Sequence, residues 1–291
     1  MKGADWYVDT NYFRFQEFDI CYKQSSNSQL PVILLLHGFP TCSYDWYKVW
    51  PLLESTFHLV AFDFLGFGRS DKPYPHNYSI EEQGDIALAC IESLGIRECF
   101  ILAHDYAVSV GQELLSRVEE GSSEIVIPKL IFLNGGLFSE THRAMPIQKM
   151  LLGRFGWIVN KFLSKKSLTK NFNKIFGPDT PPSEEEMNEI WELINYNKGK
   201  RVFRLLIRYI LDRQRNRDRW VANMQSNHTK LLLLNGPEDP ISGRHLVDRY
   251  KELIPNPKTV MLENIGHYPS LESPTKVAEH TLDFFLGINK N

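Results

Sequence analysis

The sequence predicts an α/β protein: a mostly parallel, twisted sheet flanked by helices, with a helical segment inserted before the last strands. Three observations carry this reading. Short, wholly apolar runs recur along the chain, as strands buried on both faces of a parallel sheet require. Helical patterns with readable caps alternate with those runs. The alternation then pauses between about Ser139 and Asn227, a stretch rich in helix formers, and resumes with another apolar run.

Taken in order, the front of the chain alternates Phe18, Ile20 and Tyr22 with polar neighbours, a pattern of short antiparallel strands. The buried runs are Val32 to Leu36, Leu59 to Phe62, Cys99 to Ala103, Leu130 to Leu133 and Leu231 to Leu234. Ser79 followed by Glu82 is a capping box that opens a helix through Ile86, Leu88, Ile91 and Leu94, and Gly95 stops it. Ser183 and Glu186 repeat the box inside the inserted segment. A helical block between two sheet strands is expected to form a lid over the strands' C-terminal edge, where α/β sheets bind ligands. The expected division is a core of residues 1–138 and 228–291 and a lid of 139–227.

Composition narrows the function classes. With 43% hydrophobic residues in 291, the chain can bury a large core and needs neither disulfides nor a structural metal. The net charge of -2 gives no general argument for nucleic acid or membrane surfaces. Cys21, Cys42, Cys90 and Cys99 are scattered, with no C-x-x-C and no His pair at metal spacing, and read as reduced thiols of a cytoplasmic protein. No run approaches the roughly 18 apolar residues of a membrane span. The polar start, Met1 to Trp6, has no signal-peptide character, so a soluble form is expected.

The chemistry concentrates in Phe100-Ile101-Leu102-Ala103-His104-Asp105-Tyr106-Ala107, where a buried strand runs straight into an amphipathic helix. A strand-to-helix turn this tight cannot carry bulk two places either side of its corner, and it projects the corner residue above the sheet. Ala103 and Ala107 meet the requirement, and the corner is Asp105. Such an aspartate could also simply cap the helix. Its partners argue for chemistry: Asp239 follows a buried strand, and His267 lies in a loop ahead of the last helix. The order nucleophile, acid, histidine is that of the α/β-hydrolase triad. Glu238, beside Asp239, competes for the acid role, and Asn134, which ends an earlier strand, cannot serve as a base. The His37-Gly38-Phe39-Pro40 loop supplies one oxyanion-hole N–H, from Phe39, and Tyr106 supplies the other. The side chain of His37 reads as a loop-fixing hydrogen bonder. Asp63 to Ser70 lacks the third glycine of a dinucleotide fingerprint and any Gly-Lys-Ser, so it reads as a tight turn.

The elbow, the His-Gly-Phe-Pro loop, the Gly66-Phe67-Gly68-Arg69-Ser70-Asp71-Lys72-Pro73 turn and the Gly266-His267-Tyr268-Pro269 loop together resemble the epoxide hydrolase and haloalkane dehalogenase branch of the α/β hydrolases. The resemblance runs from about Tyr12 to the end, and it departs from the family at Ala107, where glycine is more usual. It implies a carboxylate nucleophile that attacks an sp3 carbon, an alkyl-enzyme ester, and His267 with Asp239 activating the hydrolytic water. Neither a metal nor an organic cofactor is needed. Relatives that release halide usually carry Trp after the nucleophile, and some carry Asn after His-Gly; here those positions are Tyr106 and Phe39. The resemblance therefore leans towards epoxide hydrolysis, with dehalogenation and a non-catalytic ligand-binding role as alternatives. The inserted segment's tyrosines, Tyr209 first and Tyr196 second, are the candidate leaving-group donors. Its basic residues (Lys198, Lys200, Arg201, Arg204, Arg208, Arg213, Arg215, Arg217 and Arg219) read as a solvated outer face. The expected partner is a small apolar substrate, with no nucleic acid and no membrane.

Overall fold

Eight strands form one sheet in a computed structural model that describes residues 2–226 and 228–287. Position 227, the lid's expected last residue, lies outside the described residues, as do Met1 and 288–291. The strands are β1 (Thr10–Phe15), β2 (Phe18–Gln24), β3 (Val32–Leu36), β4 (His58–Phe62), β5 (Phe100–His104), β6 (Lys129–Leu133), β7 (Lys230–Asn235) and β8 (Thr259–Met261). They lie in the order β1-β2-β4-β3-β5-β6-β7-β8. The β1–β2 and β2–β4 pairs are antiparallel and every other pair is parallel. Each apolar run read from the sequence is a central parallel strand, buried because helices cover both faces. The short, half-buried β8 carries no such run and escaped the sequence reading.

Strand order reverses between β3 and β5. The loops that leave their carboxyl ends therefore diverge and open a crevice, the position where α/β sheets bind ligands. His37 follows β3 and Asp105 follows β5, so topology alone brings these distant segments together.

The principal helices are α1 (Ile80–Ser93), α2 (Tyr106–Glu119), α3 (Pro146–Leu152), α4 (Gly156–Phe162), α5 (Lys165–Ile175), α6 (Glu184–Asn195), α7 (Tyr209–Met224), α8 (Arg244–Leu253) and α9 (Pro274–Leu286). The Ser79 hydroxyl caps α1 by accepting from the Glu82 N–H at 3.1 Å, but the Glu82 carboxylate turns to His76 instead of closing the box. The box at Ser183 and Glu186 is reciprocal. Helices α3 to α7 fill the gap between β6 and β7. The last of them lies along α2, where Glu113 accepts from Arg219 and Trp220 at 2.6 and 2.8 Å.

The basic residues of this segment do not form one solvated face. Lys198, Arg201, Arg204, Arg208 and Arg215 are exposed, whereas Arg217 and Arg219 pair with Glu140 and with Glu113 and Glu120. Arg213 is fully buried. A helix that crosses the core must turn one stripe inward, and Arg213 lies on that stripe with Tyr209, four residues earlier. The segment around Asp63 is a tight turn, as read. Its carboxylate accepts from the Ser43 and Arg69 N–H groups and from the Tyr7 hydroxyl, and Lys72 Nζ caps three carbonyls, those of Phe67, Gly68 and Ser70.

One glycine braces the crevice. Gly135, just past β6, has φ 151° and lies so close to the elbow that an added Cβ would fall 2.7 Å from the Asp105 carbonyl oxygen and 2.9 Å from its Cα. Gly135→Ala should therefore destabilise the fold by about 1–3 kcal/mol, read from urea unfolding. An unchanged transition midpoint would mean that the elbow backbone yields freely.

Candidate active site

The corner at Asp105 is built by strain. Asp105 joins β5 to α2 with φ 48° and ψ −101°, a conformation that L-residues adopt only when the surroundings impose it. The Asn134 carbonyl accepts its N–H at 2.7 Å, and Ala103 and Ala107 are small enough for strand and helix to close around it. The carboxylate is buried, with Oδ2 accepting the Phe39 N–H at 2.9 Å. Tyr106 is the first residue of α2, where a backbone N–H has no intrahelical acceptor, so the second expected donor sits at the same corner.

On the other side of the carboxylate, Oδ1 lies 3.6 Å from His267 Nε2, an ion-pair distance longer than a hydrogen bond. His267 Nδ1 is 2.7 Å from Asp239 Oδ2. Asp239 and Glu238 separate cleanly: Glu238 is exposed, while Asp239 is buried and gathers further donors. These are the N–H groups of Ile241 and Ser242, the Ser242 hydroxyl at 2.6 Å and Asn134 Nδ2 at 3.0 Å. Asn134, dismissed as a base, thus holds the acid through its side chain and the Asp105 N–H through its carbonyl. His37 is the expected loop brace: its Nδ1 donates to the Gly38 carbonyl at 2.8 Å and its Nε2 accepts the Phe64 N–H.

The charges are mutually dependent. Burial opposes ionisation of Asp105, but the adjacent His267, then Arg213 and His104, hold its carboxyl well below the usual range. Burial likewise opposes charging of His267, yet Asp239 and Asp105 together push it up to about 10. At neutral pH the corner is therefore an imidazolium between two carboxylates. Arg213 adds a second buried cation, donating from Nη2 to the Asp105 carbonyl at 2.8 Å and from Nε to the Ser109 hydroxyl at 2.6 Å. Nothing in a run of arginines singled it out, although its four-residue spacing from Tyr209 was a usable signal.

The two tyrosines part company. Tyr209 is buried with its ring 5.0 Å from that of Tyr106 and 5.9 Å from that of Phe39, and the Arg213 guanidinium lies 4.5 Å from the ring centre. Its hydroxyl has no hydrogen-bond partner, and burial and the Asp105 charge raise its pKa, keeping the proton on. Tyr196 is 45% exposed and packs beside Arg69 and Lys72, away from this corner. His142 also went unassigned in the sequence. Its two ring nitrogens are buried and unpaired, and burial together with Arg213 lowers its pKa to about 4, so it is neutral.

Asp105 and His267 open onto a cleft whose other walls are almost wholly apolar, among them Met145, Leu151, Leu168, Phe172, Phe203 and Ile241. Gln148 and Asn171 are its uncharged polar residues, and both already bond within their own helical turns. Among the described residues, no group of three or more His, Cys, Asp or Glu could hold a metal ion.

Comparison with known proteins agrees with this architecture. The profile of the α/β-hydrolase fold family matches residues 31–175. The mesoderm-specific transcript homolog protein of Bos taurus is 38% identical over 279 residues, spanning 92% of this chain and 83% of its own. Among solved structures, haloalkane dehalogenase DbeA from Bradyrhizobium elkani superposes with a TM-score of 0.80 at 20% identity, over 96% of this chain and 98% of its own. Epoxide hydrolase CorEH gives 0.75 at 20% identity, over 96% and 99%. At such identities these two structures speak for the fold alone.

The raised His267 pKa fixes a pH dependence. A group whose folded pKa exceeds its unfolded value of about 6.5 contributes stability that is complete below that value. The contribution is lost as pH rises through the folded pKa of about 10. The unfolding free energy should therefore decline from neutrality to about pH 10 in the wild-type protein, and decline less in His267→Gln. Parallel profiles in urea titrations would mean that the imidazole is not held charged.

Proposed function

Because this chain belongs to the α/β-hydrolase family, we propose that it is a hydrolase that uses Asp105 as a nucleophile and opens epoxides. The observation that carries this reading is the disposition of one carboxylate. Oδ2 is held by the Phe39 N–H while Oδ1 faces the cleft beside His267, itself oriented by Asp239. A residue that merely capped α2 would accept from the helix's own first turn, and Asp105 makes no such side-chain bond.

In the proposed first step an Asp105 oxygen attacks an epoxide carbon. The carbon–oxygen bond breaks, and the departing oxygen takes a proton from Tyr209. The base needed for ordinary nucleophiles is superfluous, because the nucleophile is already an anion. Forming the ester removes one of the two negative charges that keep His267 protonated. Its pKa then falls, it gives its proton to the Tyr209 phenolate, and the neutral imidazole can accept a proton from water. That water attacks the ester carbonyl, whose oxygen is stabilised by the Phe39 and Tyr106 N–H groups. Collapse returns the Asp105 carboxylate and releases a diol, leaving His267 protonated and Tyr209 neutral as at the start.

In this scheme residues 139–227 act as a lid. They supply Tyr209, they supply Arg213 to offset the tyrosinate and hold the elbow carbonyl, and they line an apolar cleft suited to a hydrocarbon substrate. The choice of epoxide over halide rests on the Tyr209 hydroxyl, a donor suited to an alkoxide, which is buried near Asp105 behind the Phe39 wall of the cleft and has to turn towards it to reach a substrate. It rests also on Tyr106, which follows the nucleophile where halide-releasing relatives usually carry Trp.

Trapping tests the nucleophile. His267→Gln should still be alkylated but should hydrolyse the ester poorly, so mass spectrometry after exposure to a reactive epoxide should find an adduct on the peptide bearing Asp105. The adduct should be absent in Asp105→Asn. An epoxide adds its whole mass and a 1-haloalkane only its alkyl group, so an adduct from the haloalkane alone would assign the halide reaction instead. No adduct from either would overturn covalent catalysis at Asp105. Tyr209→Phe should slow epoxide opening by about tenfold or more, with Tyr196→Phe unaffected. Equal activities would remove Tyr209 from the mechanism.

A further inference from the structure

The segment that roofs the cleft has an outer surface unlike the rest of the protein. Between residues 141 and 178 the sequence has eight basic residues and no Asp or Glu, in a chain whose net charge is -2. The eight are Arg143, Lys149, Arg154, Lys161, Lys165, Lys166, Lys170 and Lys174, and among the described residues none of them is in an ion pair. Large apolar side chains stand among them uncovered: Phe155 is 63% exposed, Trp157 58%, Phe162 73% and Met150 55%. Single exposed apolar residues are ordinary on any protein, but four within two short helices and their connection form a patch that monomeric proteins rarely leave bare.

The two features belong to one device. Helix α5 turns Leu168, Phe172 and Ile175 inward to the cleft, while Lys166, Lys170 and Lys174, at four-residue spacing, are exposed on another face. Beside it, Met150, Ile158 and Phe162 share the walls of a shallow groove with Ile147 and Leu163, two residues that also line the reaction cleft. The apolar patch is thus continuous with the proposed substrate's binding surface. Helices α3 and α4 have seven residues each, and among the described residues no helix is long and apolar enough to cross a membrane.

We propose that α3, α4 and α5 form an interfacial docking surface for an anionic lipid bilayer, and that the cleft is loaded from it. Trp and Phe favour the headgroup boundary, where an amphipathic ring meets both water and chain. Lysines that make no ion pair are attracted to a negatively charged leaflet, and each contributes while it remains within a Debye length of the surface, although Glu184 borders the groove beside those of α5. Nucleic acid would satisfy the cations but leave the exposed Phe, Trp and Met unexplained. An apolar partner protein would satisfy those and leave unexplained why every carboxylate is missing. A bilayer uses both, and it concentrates apolar molecules beside a cleft that takes them. The sequence argued against a membrane partner from net charge and the lack of a span; neither property bears on a local surface of this kind.

The test is sedimentation of the intact protein with phosphatidylcholine vesicles, with and without phosphatidylserine, together with quenching of Trp157 by brominated lipid. The expected result is binding that needs phosphatidylserine, weakens with salt and quenches tryptophan fluorescence, the quenching being lost in Trp157→Phe. Lys166→Glu with Lys170→Glu should weaken binding by about tenfold or more. Trp157→Ser with Phe162→Ser should also reduce it, and both pairs should keep wild-type melting and turnover of a water-soluble substrate. No binding to phosphatidylserine vesicles at low salt would overturn the proposal. So would binding that ignores both pairs of substitutions, or capture of nucleic acid by the wild type without any vesicle binding.

Discussion

The constraint on which this site depends is the burial of two carboxylates against one imidazole. An isolated charge taken out of water is expensive, and two like charges sharing a dry corner are more so. His267 makes the arrangement tenable by standing between Asp105 and Asp239 as an imidazolium. Around that array the carboxylates have further fixed donors: Phe39 N–H on Asp105, and Asn134, Ile241 and Ser242 on Asp239. The loops after β3, β6 and β7 are therefore held by the charges as much as they hold them.

Arg213 extends the same logic. With it, the corner has two negative and two positive groups, and its guanidinium also ties the inserted helix α7 to the carbonyl of the strained elbow residue. That helix is fixed to α2 a second time by Arg219 and Trp220 on Glu113. Helix α7 is thus anchored to the core, whereas α3 and α4, with several of their largest side chains in solvent, are not. Helices α3 and α4 lie next to α5, which carries four of the unpaired lysines, Lys165, Lys166, Lys170 and Lys174. Rigid support near the chemistry and adaptable surface near the entrance are what a roofed cleft requires.

Much of this was legible because it is local. Apolar runs mark strands that must be buried on both faces, and small residues two places either side of Asp105 mark a turn with no room for bulk. The His-Gly loop, the acid after β7 and the histidine before α9 follow from the order of the chain. What failed to show was set by distance. The short β8 has too few residues for periodicity to register. Asn134 was judged by its chemistry as a base, although its use is to donate to Asp239, 105 residues away. The arginines between 198 and 219 look alike in sequence, and only the packing of α7 turns Arg213 inward.

The sequence by itself determined the sheet, the elbow and the identity of the residues able to do the proposed chemistry, because these depend on backbone sterics and on neighbours within a few positions. The tertiary structure alone put Asp239 and not Glu238 against His267, sent Tyr209 to the corner and Tyr196 to the surface, and made Arg213 a partner of Asp105. The physical reason is that burial and hydrogen-bond pairing are properties of the space between elements. Asp105 and Arg213 are 108 residues apart along the chain, and no local pattern records that their atoms meet.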